Sequence, residues 1–155
     1  MTPEKTWTTT LEQLNESQFL VTFDDLSAQP LLVDDSVMFG REGSATTVQV
    51  LSAAIGNGLA ASFLLSFRNA GLEPRKLTAE VRVTGSEESG RCKLTGIRVS
   101  LKPEFDEFML GKVGHCLEQF EEESTLFAGV HQSIDFQMEV SPILATRAAA
   151  HTHVA

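Results

Sequence analysis

One apolar stretch, residues 46–71, constrains the fold more than any other part of the chain. Its residues recur at steps of three and four positions, which is the spacing of one face of an α-helix. Further apolar residues cover the other faces, so the sequence predicts a helix of about 35–40 Å that is buried nearly all round. The residues at helical spacing are Val48, Leu51, Ile55, Leu59, Ser62 and Phe63.

Both ends of this helix carry sequence signals. The hydroxyl of Ser44 or Thr46 is expected to cap the first turn, because it accepts a hydrogen bond from a free backbone N–H. Gly71 followed by Pro74 predicts the end of the helix. The middle of the helix holds two glycines, at 56 and 58, and each costs about 1 kcal/mol relative to alanine. We interpret this pair as a place where another group approaches the backbone closely.

The rest of the chain predicts short strands and one more helix. Alternating apolar and polar residues indicate a half-buried hairpin of strands 76–84 and 92–101, joined by a turn at 85–90 and ended by Pro103. Helical spacing predicts a second helix over 105–124. Strands and helices do not alternate as in βαβ units, so we expect an α+β fold with antiparallel sheets around the long helix. The other predicted strands are 7–14, 19–23, 31–33, 37–39 and 134–140.

The predicted organisation is a single domain that needs a second copy of itself. We expect one domain over 1–141 and a flexible tail over 142–155, where no periodic pattern continues. One small sheet cannot cover a helix that is apolar on every side. We therefore expect an intertwined homodimer in which the 46–71 helices of two copies pack together at the centre.

Charge and cysteine content argue against several classes of partner. The chain of 155 residues has a formal net charge of −9 and shows no basic patch, so neither nucleic acid nor a membrane is an expected partner. Gln49 and Asn57 within the long helix also argue against a membrane span. There is no secretory signal pattern, and Cys92 and Cys116 do not make a disulfide framework. A cytoplasmic location with reduced thiols is the expectation.

Three segments carry a more specific pattern. They are a loop running into the long helix, GREGSATTVQVLSAAIGNGLAASF, the hairpin EVRVTGSEESGRCKLTGIRVSL, and the second helix with the last strand, GKVGHCLEQFEEESTLFAGV and IDFQMEV. Over residues 6–141 they resemble the OsmC/Ohr family of osmotically inducible and organic hydroperoxide resistance proteins. The resemblance implies the OsmC-like fold and a thiol-dependent peroxidase. In that family a cysteine in the central helix attacks a peroxide oxygen, and the resulting sulfenic acid condenses with a second, resolving cysteine.

The chain departs from this family at the reactive positions. The resemblance places Gly58 where the family has its nucleophilic cysteine and Gln49 where it has a glutamate. The resolving cysteine falls on Phe120 or Glu121. Because glycine offers no thiol, the resemblance implies weak or no peroxidase activity. The candidate pocket residues are Gln49, Asn57, Gly58, Phe120 and Glu121.

Three of the candidate residues have two interpretations each. Cys116 is either a small buried apolar residue or a displaced nucleophile, and we retain it as the candidate catalytic thiol. Asn57 either hydrogen-bonds across the dimer or lines the pocket. Gln49 either replaces a site carboxylate or lies on the surface of the first helical turn. The histidines and cysteines lack the spacing of metal ligands, so no metal and no cofactor is expected.

Two functions remain as alternatives. The first is a protein related to the organic hydroperoxide reductases of oxidative-stress defence, with weak or no peroxidase activity of its own. The second is a non-catalytic dimer that binds a small hydrophobic molecule or serves a regulatory role, its pocket widened by Gly56 and Gly58. Turnover of an organic hydroperoxide separates the two.

Overall fold

The computed structural model describes residues 6–25, 27–34, 44–88, 91–123 and 135–145. The chain divides into two compact units, residues 1–51 and 52–155. Each unit is described by itself below. The expected organisation of one domain over 1–141 with a tail over 142–155 stays a prediction.

The first unit contains a three-stranded antiparallel sheet in the order β1-β2-β3. Its strands are β1 Thr9–Gln13, β2 Gln18–Phe23 and β3 Leu31–Asp34. Asn15 holds the turn between β1 and β2, because its Oδ1 accepts hydrogen bonds from the backbone N–H groups of Ser17 and Gln18. The predicted N-terminal hairpin and the strand at 31–33 are confirmed. The predicted strand at 37–39 lies outside the described residues.

Helix α1, Thr47–Asn69, confirms the predicted long helix and both of its end signals. Thr46 and Gln49 form a reciprocal cap. The Gln49 N–H donates to Thr46 Oγ1 at 3.3 Å, and the Thr46 N–H donates to Gln49 Oε1 at 2.9 Å. At the other end, Gly71 has a φ of +73°, the left-handed conformation that glycine adopts at low cost after the last helical turn.

One face of α1 is buried in the protomer, and burial of the remaining sides in a dimer stays a prediction. A single sheet meets only one side of a helix. The buried positions are Ile55, Gly56, Leu59, Phe63 and Phe67. The exposed side is largely apolar and includes Ala53, Ala54, Ala61 and Leu65. By length and apolar composition α1 also meets the requirement for a membrane-spanning helix, a test that core helices of soluble proteins pass as well.

The second unit is built on a four-stranded sheet in which β5 pairs with each of the three remaining strands. The strands are β4 Lys76–Glu88, β5 Arg91–Phe105, β6 Asp135–Val140 and β7 Ile143–Leu144. β4 pairs with β5 antiparallel, whereas β6 and β7 pair with it parallel. The α+β class is confirmed, and antiparallel pairing is found for β4 with β5, but the expectation is wrong for β6 and β7. The chain crosses over through a helix between β5 and β6, and such a crossover returns the next strand in the same direction.

Three boundaries in this sheet differ from the prediction. The turn expected at 85–90 is shorter, because β4 continues to Glu88 beyond a register shift at Thr84/Gly85. Pro103 does not end β5. It lies between Leu101, the last residue paired with β6, and Glu104, the first paired with β7, where its missing N–H interrupts neither ladder. Finally, β7 forms within the stretch that was expected to be irregular.

Helix α2, Leu110–Glu123, follows one 3-10 turn, Glu107–Met109. It starts later than the predicted 105–124 helix, because Phe105 is still the last residue of β5 and is fully buried. The apolar residues at helical spacing in this segment define a stripe, and Phe108, one of its members, is 77% exposed. The rest of the stripe faces the core: Met109, Val113, Cys116, Leu117 and Phe120.

Aromatic contacts join both helices to the sheet. Phe63 stacks on Phe67 with their ring centroids 4.1 Å apart. Phe63 also meets Phe120 of α2 edge-on at 5.2 Å, and Phe67 stacks on Phe105 of β5 at 5.6 Å. Such pairs contribute about 0.5–1.5 kcal/mol beyond the burial of their area. Within the second unit, α1, α2 and β5 therefore share one core.

α1 approaches the sheet closely at Gly56, which confirms for this glycine the close approach that the Gly56 and Gly58 pair predicted. A Cβ at residue 56 would lie 2.8 Å from Cγ2 of Val81 on β4, which is too close for two carbon atoms. The β-branched Val81 has little freedom to move aside. We expect Gly56→Ala to lower the free energy of unfolding by about 1–3 kcal/mol through overpacking.

Gly114→Ala is the matched control, because a Cβ at that helical position of α2 meets open space. It should raise the free energy of unfolding by up to about 1 kcal/mol through helix propensity. Urea unfolding followed by circular dichroism measures both variants. The double variant Gly56→Ala/Val81→Ala should lose less free energy of unfolding than the sum of the losses in the two single variants. Equal stabilisation by the two glycine replacements would refute the close approach at Gly56.

Candidate functional site

The predicted site residues have different structural roles, and Gln49 belongs to the helix cap. Its side chain holds the backbone N–H of Thr46, as in a capping box. This accounts for a glutamine at a position where the resemblance expects glutamate. Both side chains offer the oxygen that the cap requires. The helix cap thus explains the presence of Gln49 without any role for it in catalysis.

Asn57 lines an open groove between α1 and the edge strand β4. Its side chain is exposed in the protomer, so a hydrogen bond across the dimer stays a prediction. The groove has a volume of about 390 Å³, within the range of about 300–1,000 Å³ found for small-molecule sites. Its lining is mostly small: Ser52, Ala53, Gly56, Asn57, Ala60, Ala79 and Val81. The sheet side of the groove was missed, although alternation along β4 had already placed Ala79 and Val81 on one face.

Gly58, Cys116 and Phe120 do not line this groove. Gly58 is half-buried in the same turn of α1 as Asn57. Cys116 and Phe120 lie in the hydrophobic core, at 7% and 1% exposure, in one cluster with Ile55, Leu59, Phe63 and Val113. Glu121 lies in α2, and its side chain is outside the described part of the structure. The groove that holds Asn57 therefore does not contain the candidate thiol.

The surroundings of Cys116 are those of a packing residue. Apolar side chains enclose it, and the face of α2 on which it lies points into the core. A peroxide would have to enter this core to reach the sulfur. Across the described ranges, no three of the His, Cys, Asp and Glu side chains are grouped so that they could hold a metal ion.

A charged cluster that the sequence analysis did not single out lies on the polar face of the sheet. Glu80 Oε1 accepts a hydrogen bond from Arg82 Nε at 2.6 Å, and Lys102 Nζ lies 3.5 Å from Glu80 Oε2. The hydrogen bond and charge of Arg82, with the charge of Lys102, hold the pKa of Glu80 below its usual range. On the neighbouring strands, Arg98 donates to Gln137 Oε1 from Nε at 3.3 Å and from Nη2 at 2.9 Å. Strand alternation places these residues outward, but only the pairing register brings them together.

Solved structures show which fold the chain shares. An OsmC-like protein from Mycoplasma pneumoniae matches with a TM-score of 0.66 and 16% identity, over 93% of this chain and 100% of that chain. An organic hydroperoxide resistance protein from Elizabethkingia anophelis matches with a TM-score of 0.65 and 15% identity, over 92% and 99% of the two chains. A hypothetical protein from Aquifex aeolicus VF5 matches with a TM-score of 0.71 and 14% identity, over 92% and 100%.

Sequence comparison gives no such match: no protein-family model and no curated protein sequence matches the chain. The structural matches extend over nearly the whole of both chains, at identities that establish fold and not activity. They confirm the likeness that the three sequence segments indicated. The chain has the fold of the OsmC-like and organic hydroperoxide resistance proteins.

Proposed function

We propose that this chain is a homodimeric relative of the organic hydroperoxide resistance proteins with little or no peroxidase activity of its own. The observation that carries the proposal is Gly58. It occupies the position in the central helix where the resemblance expects the nucleophilic cysteine. The fold is retained around that position, and the reactive sulfur is not.

The chemistry of the reaction supports this proposal. Reduction of a peroxide by a thiol needs a sulfur that reaches the peroxide oxygen, and a second thiol that resolves the sulfenic acid. The chain has two cysteines. Cys116 is enclosed in the core, and the side chain of Cys92 is outside the described part of the structure. The candidate resolving position, Phe120, is filled by a buried ring that packs on Phe63.

The uncovered side of α1 supports the homodimer. Leu65 is 63% exposed, and it shares this side with Ala54, Gly58 and Ala61 at helical spacing. Small residues in such a row let two helices approach closely. An apolar helix face of this extent is costly to leave in water, and a second copy offers the complementary surface. We infer that two α1 helices pack together and that Asn57 finds its amide partner near that contact.

The groove favours a second candidate function, the binding of a small hydrophobic molecule. Its lining is largely alanine, glycine and valine, with Ser52 and Asn57 as polar groups. Apolar walls with few polar groups are typical of small-molecule sites. This function needs no thiol, so it is compatible with the loss of the cysteine at position 58. It also agrees with the expected absence of nucleic acid and membrane partners, which, like the cytoplasmic location, stays a prediction.

We expect the purified protein to consume cumene hydroperoxide with a dithiol reductant at a rate close to that of the reductant alone. Gly58, at the position in α1 where the resemblance expects the nucleophile, carries no sulfur, and Cys116 is buried. Loss of peroxide is followed colorimetrically, with a two-cysteine thiol peroxidase as the positive control. Fast turnover that disappears in Cys116→Ser would overturn the proposal and make Cys116 a relocated nucleophile.

Leu65→Glu should shift the protein from dimer to monomer. The substitution places a charge within the proposed contact, and burying an unpaired carboxylate is strongly unfavourable. Lys112→Glu is the control, because it introduces the same side chain at an exposed position of α2. Light scattering at micromolar concentration measures the mass of both variants. A monomeric parent protein, or a Leu65→Glu variant that stays dimeric, would exclude this interface.

Ala53→Trp should reduce binding of a neutral apolar fluorophore, N-phenyl-1-naphthylamine, by about 10-fold, since it fills a groove in which apolar contact supplies the affinity. Ala53 lines the groove and is exposed, so the larger ring does not disturb the core. Ala70→Trp, in the exposed turn after α1, is the control. Fluorescence titration gives the dissociation constants. A parent protein with no saturable binding, or equal binding by both variants, would eliminate the groove as the site.

A further inference from the structure

Two of the chain's few cationic side chains face each other across the polar side of the sheet. Arg82 of β4 and Arg98 of β5 are direct register partners in the antiparallel pair. Like charges in directly opposite positions destabilise such a pair. The chain has 12 Lys and Arg residues against 21 Asp and Glu residues, so this juxtaposition does not arise from an abundance of positive charge.

The carboxylates nearby do not compensate the cations one for one. Glu80 alone pairs with both Arg82 and Lys102. Arg98 donates to the neutral amide oxygen of Gln137, and no carboxylate of the described residues lies within ion-pair distance of it. Glu139 accepts a hydrogen bond from the Ser141 hydroxyl at 3.1 Å instead of pairing with a cation. Arg98 is thus a full positive charge with a neutral partner.

These side chains enclose a groove that has room for a small ligand. It has a volume of about 220 Å³ and is lined by Glu80, Arg82, Arg98, Ser100, Lys102 and Glu139; we name it the arginine groove. Because Gln137 occupies Nε and Nη2 of Arg98, the Nη1 donors of that guanidinium stay available. Ser100 adds a hydroxyl on the same strand. The donors in the groove are those that oxyanions prefer, and the planar fork of arginine fits carboxylate and phosphate oxygens.

We propose that the arginine groove binds the oxyanion of a small ligand, a carboxylate or a phosphate. Arg98 is the direct donor, and Arg82 and Lys102 supply the supporting charge. An anion between Arg82 and Arg98 converts their mutual repulsion into two attractive contacts. Glu139 limits the ligand to a small negative charge by repelling a larger one. The site lies on the sheet face opposite the core, so it does not depend on the proposed function of α1.

Nuclear magnetic resonance of the full chain tests this proposal. Inorganic phosphate and acetate are titrated separately at constant ionic strength against sodium chloride, and the arginine Nε–Hε and Ser100 amide signals are followed. We expect saturable shifts confined to the arginine groove. Tighter binding of phosphate identifies a phosphate ligand, and tighter binding of acetate identifies a carboxylate. Shifts that match those of chloride, or that do not saturate, would overturn the proposal.

Substitutions locate the site. Arg98→Ala should weaken binding by about 10-fold, which is what the loss of a hydrogen bond between two charged groups amounts to. Arg68→Ala is the matched control, because it removes the same charge from the exposed end of α1, where Arg68 pairs with Glu73. Arg98→Lys keeps the positive charge but lacks the planar guanidinium. Its affinity for the anion should therefore lie between those of the parent protein and Arg98→Ala. Since these changes are on the surface, the backbone amide spectrum should be retained. Equal weakening by Arg68→Ala and Arg98→Ala would show a general charge effect and refute the site.

Discussion

The second unit depends on the packing of one face of α1 against β4 and β5. Five inward positions of the helix are buried, and the rings of Phe63 and Phe67 connect it to α2 and to the end of β5. Since protein interiors are close-packed, the helix and the sheet must match in shape as well as in polarity. Gly56 meets this requirement by letting Val81 reach the helix backbone. The groove beside Asn57 lies next to this close contact, on the same two elements.

The packing of this chain does not depend on position 58, where the resemblance expects a cysteine. The residues that hold α1 in place are the inward apolar ones, and replacing any of them would leave a cavity in the core. Position 58 is half-buried and holds no such residue. The resemblance expects a cysteine there for peroxide chemistry, and the packing does not require one. The proposed loss of activity and the retained fold are therefore consistent with each other.

The sequence predicted the elements that depend on local pattern. Helical spacing, the cap at Thr46 and the stop at Gly71 located α1 closely. Alternation found most strands and the buried face of β5. The parallel pairing of β6 and the strand β7 were missed, because strand direction and short pairings depend on contacts distant in the chain.

The candidate site was predicted less well, for a related physical reason. Resemblance named positions along α1 and α2, but the direction of each side chain depends on which helix face meets the sheet. Asn57 points outward and Phe120 inward, so they do not line one pocket. The charged cluster had no sequence signal of its own. Arg82 and Arg98 are brought together by the register of β4 on β5, and a one-residue slip would have separated them to opposite faces.

The strands that pair with β5 lie at different distances from it along the chain, and this difference affects how the chain folds. β4 directly precedes β5, whereas β6 and β7 return only after α2. A hairpin closes a short loop, whereas the parallel pairing that β6 begins and β7 continues must close a loop that contains a whole helix and costs more chain entropy. The β4-β5 hairpin thus offers a template that forms from neighbouring residues. A hairpin that forms before β6 and β7 return would leave one edge of β5 open to pairing with other chains.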